Sequence, residues 1–89
     1  MKIFEDVAAE YGFIHAIDLF YKFKDNPNFK GENFTWDLFP DIAANIAVSS
    51  LFTQFNKEDH YSKRLEYICY NSAVAEAKEL IEKYRDELY

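Results

Sequence analysis

The chain has 89 residues, and compact domains seldom form below about 50, so residues 1–89 are expected to fold as a single domain. Ten Lys and Arg against sixteen Asp and Glu give a formal charge of −6, which argues against direct contact with nucleic acid and for a partner with a basic surface. One cysteine, Cys69, excludes an internal disulfide and any paired-cysteine zinc site, and it suits a reducing, cytoplasmic compartment.

Two Gly, two Pro and no sustained apolar–polar alternation predict an all-α fold, a compact bundle of three main helices at about 3–24, 40–55 and 57–88. Met1-Lys2-Ile3-Phe4-Glu5-Asp6 turns acidic at once, so no secretory signal is expected. In the first helix Ile3, Val7, Tyr11, Ile14, Ile17 and Tyr21 follow three-to-four spacing, and Phe4, Phe13 and Phe20 widen that apolar face. Glu5 and Asp6 suit the positive end of its dipole, Lys22 and Lys24 the other. Gly12 in its middle marks a bend or a close approach by a neighbouring helix.

Asp25-Asn26-Pro27-Asn28 stops this helix, because the residue before a proline is pushed out of the α region. Residues 25–39 then read as a short helical turn or an irregular aromatic connection holding Phe29, Phe34, Trp36 and Phe39. Thr35 is placed to cap a turn over Trp36 to Phe39. Asn33-Phe34-Thr35 matches the glycosylation sequon, which has no meaning without secretion.

Pro40 suits the first position of the second helix. No charged residue follows Asp41 until Lys57, and the uncharged run from Ile42 to Asn56 is too short and too polar for a bilayer span, so no membrane association is expected. Ala44, Val48, Leu51 and Phe55 form one stripe; Ile42, Ile46 and Ser49 form another. A helix without charge on several faces is either central or covered by another subunit.

Asn56 and Asp59 suggest a cap for the third helix. Tyr67, Tyr70, Val74, Ala77, Ile81, Tyr84 and Leu88 define its seam, Tyr61, Leu65 and Ile68 add a face to its first half, and the phase carries through Asn71-Ser72 without a break.

Chemistry-bearing patterns are sparse. His15 and Asp18 stand one turn apart and Asp59 and His60 are adjacent, but no paired-His metal motif occurs, Gly12 and Gly31 are isolated rather than part of a phosphate loop, and Cys69 sits between Ile68 and Tyr70 on a helix. No catalytic residue, metal or cofactor is therefore assigned, and the chain is not expected to be an enzyme. Seventeen aromatic residues in so short a chain exceed what one small core readily hides.

Two readings of the aromatic connection follow. Phe29, Phe34, Trp36 and Phe39 either seal one end of the bundle or form a displayed surface of the kind that anchors protein interfaces. Glu79, Glu82 and Asp86, away from the seam of the last helix, form either a solvated face or an acidic docking face. The expected function is a small acidic, non-enzymatic interaction module, an inhibitor or adaptor occupying a surface of a larger basic partner such as a nucleic-acid-binding protein. The alternative is a helical homo-oligomer that binds a nucleotide-like ligand at a subunit seam, with Lys22, Lys24 and Lys30 near Tyr21 and Phe29 to hold it.

Overall fold

Alanine and glycine, rather than leucine, line the centre of this fold. A computed structural model describes residues 4–26, 31, 33–56 and 62–89. It contains α1 (Phe4–Asp25), a 3-10 turn (Trp36–Leu38), α2 (Phe39–Asn56), α3 (Lys63–Lys83) and a final short helix, α4 (Arg85–Leu88). No strand occurs among the described residues. The expected all-α bundle of three main helices is the observed architecture.

The ends of the helices fix their directions. Glu5 near the start of α1 binds Arg64 at the start of α3 at 2.6 Å, and Tyr21 near the end of α1 meets the Tyr84 hydroxyl just beyond α3 at 3.0 Å. α1 and α3 therefore run in parallel. α2 runs against them, because Phe39 at its start packs on Phe23 and Phe55 at its end packs on Phe4 and Tyr11.

α1 packs most extensively on α3. It does so through Ala8, Gly12 and Ala16, which recur every four residues and therefore drift slowly around one face of a 3.6-residue helix. α3 answers with Cys69, Ala73 and Ala77 at the same spacing, and α2 adds Ala43, Ala44 and Ala47; all of these are buried. Gly12 is where contact is tightest. A β-carbon built there would meet the Cys69 carbonyl oxygen, the Ser72 Cβ at 2.7 Å and the Ala73 nitrogen at 2.9 Å. The backbones touch, so the close-approach reading of Gly12 is the one that applies.

That contact revises two predicted faces. Of the expected apolar face of α1, Phe20 is fully buried and Val7 and Tyr11 pack against the core, but Phe4, Phe13, Ile14, Ile17 and Tyr21 are exposed and Ile3 lies outside the described residues; Ala8, Gly12, Ala16 and Phe23 are the other inward residues. Branched side chains cannot enter a gap that excludes a single methyl group. In the last helix most of the expected seam faces inward: Ala77 and Ile81 are buried, Tyr70, Val74, Tyr84 and Leu88 pack against the core, and Leu65 and Ile68 of the second face do so too. Tyr67 departs from it at 70% exposed, and Cys69, Ala73 and Leu80, which the seam did not include, are buried. In α2 the expected stripe of Ala44, Leu51 and Phe55 is buried, with Val48 packed against it.

Large rings gather at the end of the bundle where α1 finishes and α2 begins. Phe20 lies 5.4 Å from Trp36, 6.0 Å from Phe39 and 5.5 Å from Tyr84, and Phe34 lies 5.2 Å from Trp36 and 5.3 Å from Phe23. The 3-10 turn exists to bring Trp36 into this cluster. Thr35 precedes it in extended conformation, but its side chain makes no capping hydrogen bond.

The start of α3 is set by Ser62, which is extended and accepts a hydrogen bond from the Leu65 N–H at 3.2 Å. The expected cap at Asn56 and Asp59 involves residues 57–61, which lie outside the described residues. The helix is continuous through Asn71 and Ser72, as its phase predicted. It breaks later, at Tyr84, whose φ of −109° and ψ of 18° turn α4 aside. The Tyr84 ring is gripped there, with the Lys24 and Lys83 ammonium groups 5.3 and 5.4 Å from its centre.

Candidate functional site

Of the reactive groups singled out in the sequence, Cys69, His15 and Asp18 are each buried or engaged by a neighbour. The Cys69 thiol is fully buried, and burial pushes its pKa from the ordinary 9.0 up to about 11. A thiolate nucleophile is therefore not available near neutral pH. His15 stacks on Tyr11 with ring centres 5.7 Å apart, and the neighbouring Asp18 carboxylate pairs with Lys22 at 3.1 Å. Among the described residues no group of three or more His, Cys, Asp or Glu could hold a metal ion, and no helix is long and apolar enough to cross a membrane. Asp59 and His60 lie outside the described residues.

Cys69 gives an expected result in itself. Thiol reagents should leave the folded protein unlabelled and modify it fully in denaturant, read by mass spectrometry. Alkaline pH adds a second signature. Tyr21 is raised by its hydrogen bond to Tyr84, Tyr70 by donating to Asp41, and Tyr89 by burial and its bond to Asp37. With Cys69, all of these ionise first in the unfolded chain, so stability is fully present below about pH 9 and should fall as pH rises through the folded values. At the acid end Glu5 is lowered by its hydrogen bond to Arg64, so that bridge should be lost as pH falls below the ordinary 4.5.

The residues singled out as a possible interface divide into three groups. Phe29 lies outside the described residues. Trp36 is 6% exposed, Phe39 is fully buried and Phe34 is half-buried, a placement that matches rings sealing the bundle end. Glu79, Glu82 and Asp86 are exposed, and Glu82 holds Arg85 at 2.8 Å. The structure brings two of these together: Trp36 and Glu82 line one groove of about 470 Å³, along with Asp37, Lys78, Arg85 and Tyr89. Asp37 accepts from the Tyr89 hydroxyl at 3.2 Å, so this groove is already bridged by its own side chains.

The surface that sequence reasoning missed is the outer face of α1. Ile14 is 62% and Ile17 39% exposed, with Phe13 and Tyr21 comparably open. On a helix of 3.6 residues per turn these four share one side, opposite the small residues that touch α3. Asp6, Glu10, Asp18 and Asp25 are exposed along the same helix. Its lysines are engaged, Lys22 by Asp18 and Lys24 by Glu87 at 3.3 Å. The result is an apolar row with an acidic border. The signal for it was present in the four-residue repeat of Ala8, Gly12 and Ala16, which marks the inward face independently of the larger side chains.

Between α1 and α2 runs an open groove of about 630 Å³, walled by Tyr11 and His15 on one side and by Asn45, Ser49 and Thr53 on the other. Its lining offers a ring pair and hydroxyls but neither Lys nor Arg. The chain matches no protein-family model, no curated protein and no solved structure.

Proposed function

We propose that this chain is a small acidic protein–protein interaction module, without catalysis, that lays the outer face of α1 on an apolar surface bordered by basic residues of a larger partner. The observation that carries this reading is the inverted character of α1: small residues face in, and Phe13, Ile14, Ile17 and Tyr21 face out. Fully burying a side chain of this size is worth about 1.5–3 kcal/mol, and these four keep 38–62% of their surface exposed, so part of that stabilisation is open to a partner. An acidic border around an apolar row selects for a basic rim and steers the encounter. An inhibitor or an adaptor both act by such occupancy, and a nucleic-acid-binding protein supplies a basic surface of the right sign. The single buried cysteine suits a cytoplasmic setting. The nucleotide-binding alternative is less well supported, because Lys22 and Lys24 already pair with Asp18 and Glu87, and Lys30 lies outside the described residues.

The test is affinity capture from the native host with wild-type protein and the double variant Ile14→Asp/Ile17→Asp. Binding of the captured partner should fall about 30-fold or more, as for residues central to an interface. Far-UV circular dichroism and thermal midpoint should hardly change, because surface substitutions of this kind alter stability by about 0.5 kcal/mol or less. Glu79→Lys/Asp86→Lys, on α3 and α4 rather than α1, separates a general charge effect from loss of the apolar row. Equal capture by the Ile14/Ile17 variant would refute the proposal.

A further inference from the structure

The groove between α1 and α2 has a lining whose chemistry departs from the rest of the surface. Charged residues make up 29% of the chain, yet no Lys, Arg, Asp or Glu falls between Ile42 and Asn56, and none lines the groove. Its walls are instead a ring pair, Tyr11 and His15, and a set of amide and hydroxyl side chains. Its volume of about 630 Å³ lies within the range of about 300–1,000 Å³ that small-molecule sites occupy.

Helical spacing builds both walls. Tyr11 and His15 stand four residues apart on α1, so their rings stack, with centres 5.7 Å apart and planes 22° from parallel. Phe55 meets the Tyr11 ring nearly edge-on, at 6.2 Å and 79°, and holds it in place. On α2, Asn45, Ser49 and Thr53 repeat every four residues, and Ile46, Ser50 and Gln54 repeat beside them.

The hydrogen-bonding groups are partly ordered in advance. The Asn45 amide nitrogen donates to the Asp41 carbonyl at 2.8 Å, which leaves the amide oxygen as an acceptor. The Thr53 hydroxyl donates to the Ser49 carbonyl at 3.0 Å, which leaves its oxygen to accept as well. The Ser49, Ser50 and Gln54 side chains make no hydrogen bond among the described residues, and they supply donors as well as acceptors.

A ligand that suits this lining carries no charge, because the groove offers neither an anion nor a cation its counter-ion. It has a flat apolar face to lie on the electron-rich face of a ring. Its rim both donates and accepts hydrogen bonds, as hydroxyl groups do. A pyranose combines these properties, with C–H groups on its face and hydroxyls around its edge. We infer that the groove binds a neutral saccharide, with one sugar ring on the Tyr11–His15 pair and its hydroxyls held by Asn45, Ser49, Thr53 and Gln54. The site is separate from the outer row of α1 and stands or falls independently of a partner there.

Chemical-shift mapping on isotopically labelled protein tests it, with glucose, galactose, mannose, N-acetylglucosamine, maltose and cellobiose as probes. At least one should saturate with a Kd on the order of 1 mM or tighter, the shifts centring on Tyr11, His15, Ser49 and Thr53. His15→Ala removes half of the ring pair and Gln54→Ala removes an amide. Each should weaken binding about fivefold or more, with an unchanged circular dichroism spectrum. Ile14→Asp/Ile17→Asp, which tests the α1 row, should bind the sugar as wild type does. Adenosine monophosphate and a blocked alanine dipeptide are the charged and peptide comparators. Absence of saturable shifts with every sugar at about 50 mM overturns the inference. So does undiminished binding by both His15→Ala and Gln54→Ala, or tighter binding of either comparator in the groove.

Discussion

Gly12→Ala should destabilise the protein even though alanine is the better helix former. In an isolated helix the change gains about 1 kcal/mol. Here the new methyl group would press on the Cys69 carbonyl, on the Ser72 Cβ at 2.7 Å and on the Ala73 nitrogen at 2.9 Å, and two of these are backbone atoms that cannot rotate away. Relief requires α1 and α3 to separate along their whole contact, which loosens Ala8, Ala16, Ala73 and Ala77 together. Overpacking of this kind costs about 1–3 kcal/mol, and occasionally more. The expected outcome of urea unfolding is a net loss of about 2 kcal/mol for Gly12→Ala and failure to fold for Gly12→Leu. A Gly12→Ala variant as stable as wild type would show that α1 and α3 do not touch here. Gly31, with open space around it, is the matched control, since Gly31→Ala meets no atom within 4 Å.

The ring cluster carries the second large effect. Phe20 is fully buried and packs on Trp36, Phe39 and Tyr84, so Phe20→Ala removes the piece that joins α1 to the 3-10 turn, α2 and the end of α3. The lost transfer energy and the residual cavity together should cost about 3–5 kcal/mol, a large part of the total stability of a domain this size. Phe20→Leu should cost much less because it keeps most of the volume. Trp36 reports the event directly. Its emission should be blue-shifted in the native protein and move to the red in Phe20→Ala at denaturant concentrations where wild type is still folded. Coincidence of that shift with loss of helical ellipticity would show that the ring end and the helices unfold as one unit.

How much of this was legible in the sequence depended on which property each segment used. α1 and α2 were legible to within a residue or two because Asp25-Asn26-Pro27 and Pro40 are local punctuation, and local sterics act regardless of fold. The continuity of α3 through Asn71-Ser72 followed from phase. The break at Tyr84 did not, because the Lys24 and Tyr21 side chains that hold its ring come from another helix, 60 and 63 positions away. The inward faces of α1 and α3 were legible only in part, and the small residues in them were missed for one shared reason. Hydrophobic periodicity weights large side chains most heavily, whereas this bundle is organised by the closeness of its backbones, which rewards Ala8, Gly12 and Ala16 over Ile14 and Ile17. The same bias hid the outer surface of α1, since its residues had been assigned to the core. Trp36 and Phe39 illustrate the converse: the sequence left them open between sealing the bundle end and display, because the neighbours that packing at one end gives them are ones no spacing rule identifies.

The small-residue seam has a consequence for how such a chain can change over generations. Its interior tolerates almost no variation, because each position at the crossing is already near the minimum size. The exterior of α1, by contrast, contributes little to holding the helices together at Phe13, Ile14 and Ile17, which can be exchanged with small effect on folding, whereas Tyr21 is tied to Tyr84. Under the function proposed above, scaffold and address are written in different residues of the same helix. A lineage facing a shifting target could rewrite the second while leaving the first untouched.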